Sequence, residues 1–532
     1  MGPITAATDH REDAADSDPR QQRRRGLLRG LLHGLVVVAI VAGLLAALRG
    51  GGGGDEEDGV RVVPQFPRAA QVDLAERRAG RDRPNVVFVL TDDQNVDELE
   101  HMPRTRRLLV DRGTSFDAAI SPHPLCCPAR AELLTGQYGQ NNGVRHNGGP
   151  HGGDQALDPA YPTLPERFAA AGYATGLVGK YLNGYQPEAD APEPGWDLWQ
   201  PLVRGVYSYD RYTYAGEERS WADDEVPYVT TSIARRTDDA VRELAAGDDP
   251  FLLFSWHVAP HYKPKGKVHA PPPSLPRDRR KYRDLPAPSL TKPNYNQAEV
   301  SDQPQPIRKR PVMKDAKNER MYRARVRSLL AVDRSVASLV RTLRETGELA
   351  DTYLVFASDN GHALGEHRLF GKNVLVDEIM DVPVVVRGPG VPAGATSSVP
   401  ATLVDLPATL LDLAAIDDTT GLDGQSLLAP ALGRDVEFRD TTLVQTGGRQ
   451  LDGWQYRGVQ TPGWLYAVNA HTGDGLLYDR RRDPWQLHNR FADPAYAGVV
   501  RELEARASRL RVCEGPGCNL RFGDDPAPPA GG

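Results

Sequence analysis

Four short apolar runs set the fold class of this chain. PNVVFVLT (84–91), YATGLVG (173–179), PFLLFSWH (250–257) and TYLVFAS (352–358) alternate with longer stretches of helical character. That alternation predicts strands of an α/β sheet. Residues 317–345 carry Leu329, Val332, Val336, Val340 and Leu343 at helical spacing. They predict a long amphipathic helix just before the last run. From about residue 436 the pattern becomes strand–turn–strand, in WQYRGVQTPGWLYAVN and GLLYDRRRDPWQLHN. A small C-terminal α+β subdomain is expected there. Residues 262–316 are rich in Pro, Lys and Arg without periodicity, which predicts a functional rim or lid.

The N-terminal region reads as a separate unit. Residues 1–25 are polar and end in Arg23, Arg24 and Arg25, and an uncharged apolar segment runs from Gly30 to Leu48. At about 1.5 Å per residue such a segment just crosses a bilayer core of roughly 30 Å. The arginines precede it and an acidic stretch follows, so the N-terminus is expected inside and the bulk of the chain outside. Two readings stand: a retained signal anchor through residues 30–48, or a cleaved signal peptide followed by secretion. The resulting map is a cytoplasmic tail over 1–25, signal segment over 26–49 and linker over 50–80. A catalytic domain over 81–435, a C-terminal subdomain over 436–525 and a tail over 526–532 follow. The net charge of -7, with no Lys/Arg stripe interleaved with aromatics, argues against nucleic acid as a partner.

The chain has 4 cysteines. Cys513 and Cys518, in CEGPGC, read as a local disulfide in an oxidising compartment. Cys126 and Cys127 are adjacent, and a bond between neighbours is badly strained. Pro128 follows them, restricts Cys127 to an extended conformation and suits the first position of a helix over ARAELLT that Gly136 would end. The pair is therefore expected at a helix N-terminus, where free N–H groups favour an anion. Arg130 adds a fixed cation, and a thiolate would be activated there too.

Each apolar run also ends in polar residues: Asp92 and Asp93, then Lys180, then His257 and His261, then Asp359 and Asn360. Ligands of open α/β sheets bind beyond the carboxyl ends of the strands, so these groups could converge on one site. Three acids and an amide are oxygen donors, which suit Ca²⁺ or Mg²⁺ better than zinc. His362 and His367 follow the last metal-type strand and are candidate pocket residues.

At this point a family resemblance is visible. Cys126-Cys127-Pro128-Ala129-Arg130, followed by Leu134-Thr135-Gly136, resembles the sulfatase signature C-x-P-(S/A)-R-x-x-x-L-T-G. VLTDDQN, GLVGKYLNGY, HVAPHYKP, FASDNGHALGEHRLFGK and LYDRRRDPWQLHN resemble further segments of that family, in order, over roughly residues 82–525. The resemblance implies an alkaline-phosphatase-like fold, with a large mixed sheet flanked by helices and a small C-terminal sheet. It implies that a formylglycine-generating enzyme converts Cys126 to Cα-formylglycine, whose hydrate attacks sulfur. Asp92, Asp93, Asp359 and Asn360, with the modified Cys126, would hold one Ca²⁺, with Mg²⁺ as the alternative. Arg130 would steady the formylglycine, Lys180 and Lys372 would bind sulfate oxygens, and His261 rather than His257 falls at the family's histidine. Where many arylsulfatases have a histidine two residues after the first lysine, this chain has Leu182, and Asn183 could supply a polar contact instead. CCPAR and GKYLNGY look most like glucosamine-6-sulfatases and extracellular heparan endosulfatases, so a sulfated glycan is the expected substrate. The alternatives are a phosphonate monoester or phosphodiester hydrolase of the same superfamily and an arylsulfatase of broad specificity. A glycan-binding protein with an unmodified Cys126, and direct cysteine nucleophile chemistry, complete the set.

Overall fold

In the computed structural model, the described residues are 59–67, 83–187, 193–217, 227–265, 268–448 and 452–529. They belong, Gly59 apart, to the compact unit Val60–Gly532. The expected apolar segment over 30–48 lies outside the described residues. No helix among the described residues is long and apolar enough to cross a membrane.

The main sheet has nine strands: β1 (Asn85–Thr91), β2 (Thr114–Phe116), β3 (Ala174–Lys180), β4 (Leu198–Arg204), β5 (Thr213–Tyr214), β6 (Phe251–Trp256), β7 (Thr352–Ser358), β8 (Val384–Arg387) and β9 (Ala395–Ser397). Their spatial order is β9-β2-β8-β7-β1-β6-β3-β4-β5. The four apolar runs are the four neighbours β7, β1, β6 and β3, all parallel. β8 runs antiparallel to β7, which makes the sheet mixed. Every residue of β1, β6 and β7 is buried, which explains why these runs are apolar throughout instead of alternating.

Helices cover both faces. They include α1 (Cys126–Thr135), α2 (Val229–Leu244), α3 (Asp315–Glu345) and α4 (Asp405–Ala414). Val86, Phe88 and Leu90 share a core with α1 and α4, whereas Val87 and Val89 share one with α2 and α3. This is the two-residue alternation of a strand between two layers. Leu329, Val332, Val336, Val340 and Leu343 all lie buried on α3, as their spacing predicts.

Parallel register sets the site. Thr91 pairs with Ser358, and Trp256 lies opposite both Leu90 and Gly179. Asp92, Asp359, His257 and Lys180 therefore leave the sheet at one edge and at nearly one level.

The C-terminal part is an antiparallel sheet of β10 (Thr442–Gly447), β11 (Trp454–Gln460), β12 (Trp464–Val468) and β13 (Gly475–Asp479). α5 (Ala497–Leu510) packs on it, and Cys513 and Cys518 form the expected disulfide. Two stretches are more structured than their composition predicts. Within the expected linker, Arg61–Val62 pairs with Leu520–Arg521, and Gln65 Nε2 donates to Gly424 O at 2.7 Å. Within 262–316, strands Lys263–Lys265 and Val268–Ala270 form a hairpin beside His261.

Candidate active site

α1 carries the paired cysteines to the sheet edge. Leu125 precedes it in extended conformation at φ -151, and Gly136 ends it in the left-handed region at φ 69. One expectation is corrected. Cys127 is not extended but helical, because α1 begins at Cys126 and Pro128 occupies its third position. Proline is tolerated there because first-turn N–H groups lack intrahelical partners. The free N–H of Cys127 donates instead to Asn147 Oδ1 at 2.9 Å. Both thiols are unpaired and buried, but they differ in setting. Cys127 lies in the apolar core, whereas Cys126 Sγ donates to Asp92 Oδ1 at 3.2 Å and contacts Lys372 Nζ.

Around Cys126 the charges interlock. Lys180 Nζ donates to Asp92 Oδ2 at 2.5 Å, and Lys372 Nζ to Asp93 Oδ1. Arg130 Nε donates to Asp359 Oδ2 at 2.9 Å, while its Nη1 donates to the carbonyl of Lys180 at 2.8 Å. Asn360 Nδ2 donates to Asp93 Oδ1 at 2.7 Å. His261 Nε2 lies 3.6 Å from Asp93 Oδ2. The ligand atoms of Asp92, Asp93, Cys126 and His261 lie within 4.8 Å of one another. Three buried carboxylates this close are tolerable only because three cations neutralise them.

The electrostatics follow from burial opposed by neighbours. Burial raises the Asp92 carboxyl, but Lys180, His261 and Lys372 outweigh it and hold it at about 2. Asp93 is lowered further, with Lys372 and His261 overcoming its burial. Asp359 is raised by burial and by the charge of Asp92, against Arg130. Burial, with Asp92 adding to it, pushes the Cys126 thiol well up, so an unmodified Cys126 remains a thiol. Burial pushes His261 down to about 4 against the pull of Asp93, leaving a neutral imidazole near neutrality. Its Nδ1 lies 2.7 Å from the carbonyl of Tyr262, an acceptor only. The proton therefore sits on Nδ1, and Nε2 faces the site as a base.

The residue set also fits a hard divalent cation. Asp93 Oδ2 and Asn360 Oδ1 are buried oxygens without a hydrogen bond among the described residues. They stand beside the Asp92 and Asp359 carboxylates, an all-oxygen donor set of the kind Ca²⁺ prefers. Asp93 adopts a left-handed backbone at φ 71, which costs a non-glycine residue on the order of 1–3 kcal/mol. Its N–H donates to Asp359 Oδ1 at 3.0 Å, and Arg325 donates to its carbonyl.

The other expected residues divide. His362 is buried near Asp93 and Lys372, with neither ring nitrogen hydrogen-bonded among the described residues. Asn183 lines a small cavity of about 100 Å³ that Lys180 and Tyr207 also line, and its Nδ2 donates to the Tyr207 hydroxyl at 3.4 Å. His257 and His367 do not join the cluster. His257 Nε2 meets Ser335 Oγ of α3 at 3.2 Å, and His367 bonds Gln297 and Asn294. Two participants carry no local sequence signal. Tyr207 stacks on His261 at 4.2 Å and holds Lys180 over its ring at 5.1 Å. Arg325 clamps Glu98 at 2.6 and 2.7 Å while reaching the Asp93 carbonyl.

One group on α1 lies outside the chemistry. Glu132 is fully buried, and burial with nearby Asp423 outweighs a polar contact with Gln445 and raises its carboxyl well above its ordinary 4.5. The folded chain thus holds this proton more tightly than the unfolded chain. Its contribution is fully present below about pH 4.5 and is lost as pH rises toward the folded value. Glu132→Gln is expected to stabilise the protein at pH 8 by on the order of 1–3 kcal/mol and to flatten the pH dependence. Urea denaturation at pH 5 and pH 8 measures this, and equal destabilisation at both would contradict it.

Against known proteins, residues 84–416 match the family described as Sulfatase. The chain belongs to the sulfatase family. Residues 365–513 of this sulfatase also match the family described as N-sulphoglucosamine sulphohydrolase, C-terminal. Human N-acetylglucosamine-6-sulfatase is 32% identical over 502 residues, covering 84% of this chain and 88% of that protein. The Drosophila melanogaster protein named extracellular sulfatase SULF-1 homolog is 30% identical over 448 residues, 80% of this chain and 38% of that one. A solved structure in complex with its substrate D-glucosamine-2-N,6-O-disulfate has a TM-score of 0.61 at 22% identity, over 81% of this chain and 97% of that one. The phosphonate monoester hydrolase of Agrobacterium radiobacter has a TM-score of 0.65 at 22% identity, over 81% of this chain and 96% of that one. The fold is alkaline-phosphatase-like, as expected, and the enzyme is a sulfuric ester hydrolase.

Proposed function

We propose that this sulfatase releases sulfate from a sulfated glycan of the glucosamine-6-sulfate type, using a formylglycine made from Cys126 and one bound Ca²⁺. The observation that carries this reading is the position of Cys126 Sγ, against Asp92, Asp93 and Lys372 at the start of α1. A protonated, buried thiol is a poor nucleophile there. The aldehyde, once formed and hydrated, supplies one hydroxyl for attack on sulfur and a second that allows sulfate to be expelled. Asp92, Asp93, Asp359 and Asn360 would hold the cation, with Mg²⁺ second in preference, and it supplies Lewis-acid stabilisation of sulfate charge.

The chain's own side chains do the positioning. Arg130, fixed at both ends of its guanidinium by Asp359 and the Lys180 carbonyl, holds residue 126 in orientation. Lys180 and Lys372 present ammonium groups to the sulfate oxygens. Lys372 would stand nearer the leaving alcohol, and its side chain is 10% exposed against 3% for Lys180. His261, with Nε2 unprotonated, accepts the proton as sulfate leaves. Asn183 and His362 would contact the sugar. An extracytoplasmic location, anchored or secreted, agrees with the apolar 30–48 segment and the Cys513–Cys518 disulfide. A formylglycine-generating enzyme is the required partner.

The test uses the full chain and four esters: N-acetylglucosamine-6-sulfate, a sulfated oligosaccharide carrying it, an aryl sulfate and an aryl phosphonate. Sulfate release greatest on the glucosamine esters, abolished by a chelator and restored by Ca²⁺, is expected. A preference for the phosphonate would overturn it.

A further inference from the structure

The chain is acidic overall, at net -7, yet one surface is strongly basic. It is built from two segments. The loop over 277–283 exposes Arg277, Arg279, Arg280, Lys281 and Arg283. The outward face of α3 carries Lys317, Arg320, Arg323 and Arg327, spaced by three, three and four residues, so that they line one side of the helix. The segments lie against each other: Arg327 Nη1 donates to Arg279 O at 3.0 Å, and Arg323 Nε to Leu285 O at 2.7 Å. Carboxylates answer only part of this charge. Asp278 is buried against Arg334 and Lys281, Glu319 pairs with Arg323 at 3.2 Å, and Asp315 accepts from Tyr295. Asp284 is exposed nearby. Like charges crowd as a result, and Arg327 is lowered by burial and then by Arg323 and Arg283.

The basic strip begins at the catalytic site. Lys317 Nζ sits 4.1 Å from the centre of the Phe370 ring, two residues before Lys372. Phe370 also meets His362 at 5.2 Å and His269 at 5.7 Å, and His269 stacks on Tyr262 beside His261. From Lys317 to Arg327 the helix rises about 15 Å. We propose that the strip formed by α3 and the 277–283 loop is a binding track for a polyanionic sulfated polysaccharide, which carries the chain beyond its scissile residue. This rests on the sulfatase reading and extends it from a single ester to a polymer. A single ester gains nothing from cations that far from Lys372, whereas a chain of repeated sulfates engages them all, and the summed positive field raises its local concentration.

The test is a fourfold variant, Arg279→Glu, Arg280→Glu, Arg283→Glu and Arg320→Glu, all at exposed positions away from the catalytic cluster. At low salt, the variant is expected to raise KM for a sulfated polysaccharide by roughly tenfold or more. Its kcat/KM on a small sulfate ester stays that of the parent, which also reports correct folding. The difference vanishes near 1 M salt, where the screening length is about 3 Å against about 30 Å at 0.01 M. Equal loss on both substrates, or no loss on the polymer, would overturn the track. Direct calorimetric binding of the polysaccharide is read without turnover, so absence of all sulfate hydrolysis would count against the enzyme reading and not against the track. Equally tight binding of duplex DNA would overturn the assignment to glycans.

Discussion

Cys126→Ala is expected to abolish sulfate ester hydrolysis, by roughly 10⁴-fold or more in kcat, while the neighbouring Cys127→Ala leaves turnover close to that of the parent. The asymmetry follows from one residue step along the helix, a rotation of about 100°. Cys126 Sγ faces Asp92, Asp93 and Lys372, whereas Cys127 belongs to the apolar core. Losing the Cys127 sulfur costs packing and weak backbone contacts with Asn183 and Gly153, about 1 kcal/mol. Initial rates on an aryl sulfate, with urea midpoints for both variants, measure the pair of effects. Comparable loss of activity in the two would mean that the adjacent thiols act together, and would remove the basis for assigning modification to Cys126.

Arg130→Ala is the second large effect, and it falls on stability as well as rate. The guanidinium is fully buried, donates to Asp359 Oδ2 and to the Lys180 carbonyl, and lies 5.2 Å from the ring of Trp256. Its removal leaves the Asp359 carboxylate with the Asp93 N–H at 3.0 Å and the more distant Lys180 Nζ at 3.9 Å, while burial and Asp92 push it toward protonation. Breaking a buried pair costs up to about 3–5 kcal/mol, because a carboxylate that has lost its nearest cation remains buried. Arg130→Lys keeps the charge but cannot span both acceptors, so it is expected to recover only part of the loss. Denaturation at several pH values reads this directly. A deficit that shrinks as pH falls and Asp359 gains a proton is the expected signature, and a pH-independent deficit would contradict it.

Much of the site was legible because its residues sit where local rules place them. β1, β3, β6 and β7 could be read as strands from their apolar composition, and Asp92, Lys180, His261 and Asp359 could be read as their polar exits. The α1 helix was legible from Pro128 and Gly136, although it starts at Cys126, two residues earlier than a proline at the first position predicts. Tertiary packing decided the rest. His257 follows Trp256, whose ring belongs to the α1 side of the sheet, so strand alternation points the histidine toward Ser335 of α3. His367 is near Asp359 in sequence, but left-handed backbone at His367 and Arg368, φ 50 and φ 59, turns the segment toward Asn294 and Gln297. Arg325 reads from sequence as one more charge on a basic helix. Only the packing of α3 beneath β1 places it on Glu98 and on the strained Asp93 carbonyl. Tyr207 belongs to a stretch without periodicity, and its place against His261 and Lys180 is a property of the folded chain alone.

The proposed reaction requires that residue 126 no longer be a cysteine. Mass spectrometry of the peptide spanning Cys126 and Cys127, taken from catalytically active protein after thiol alkylation, tests it most directly. An aldehyde is expected at position 126 and a single alkylated thiol at position 127. Two alkylated thiols in protein that turns over sulfate esters would contradict it.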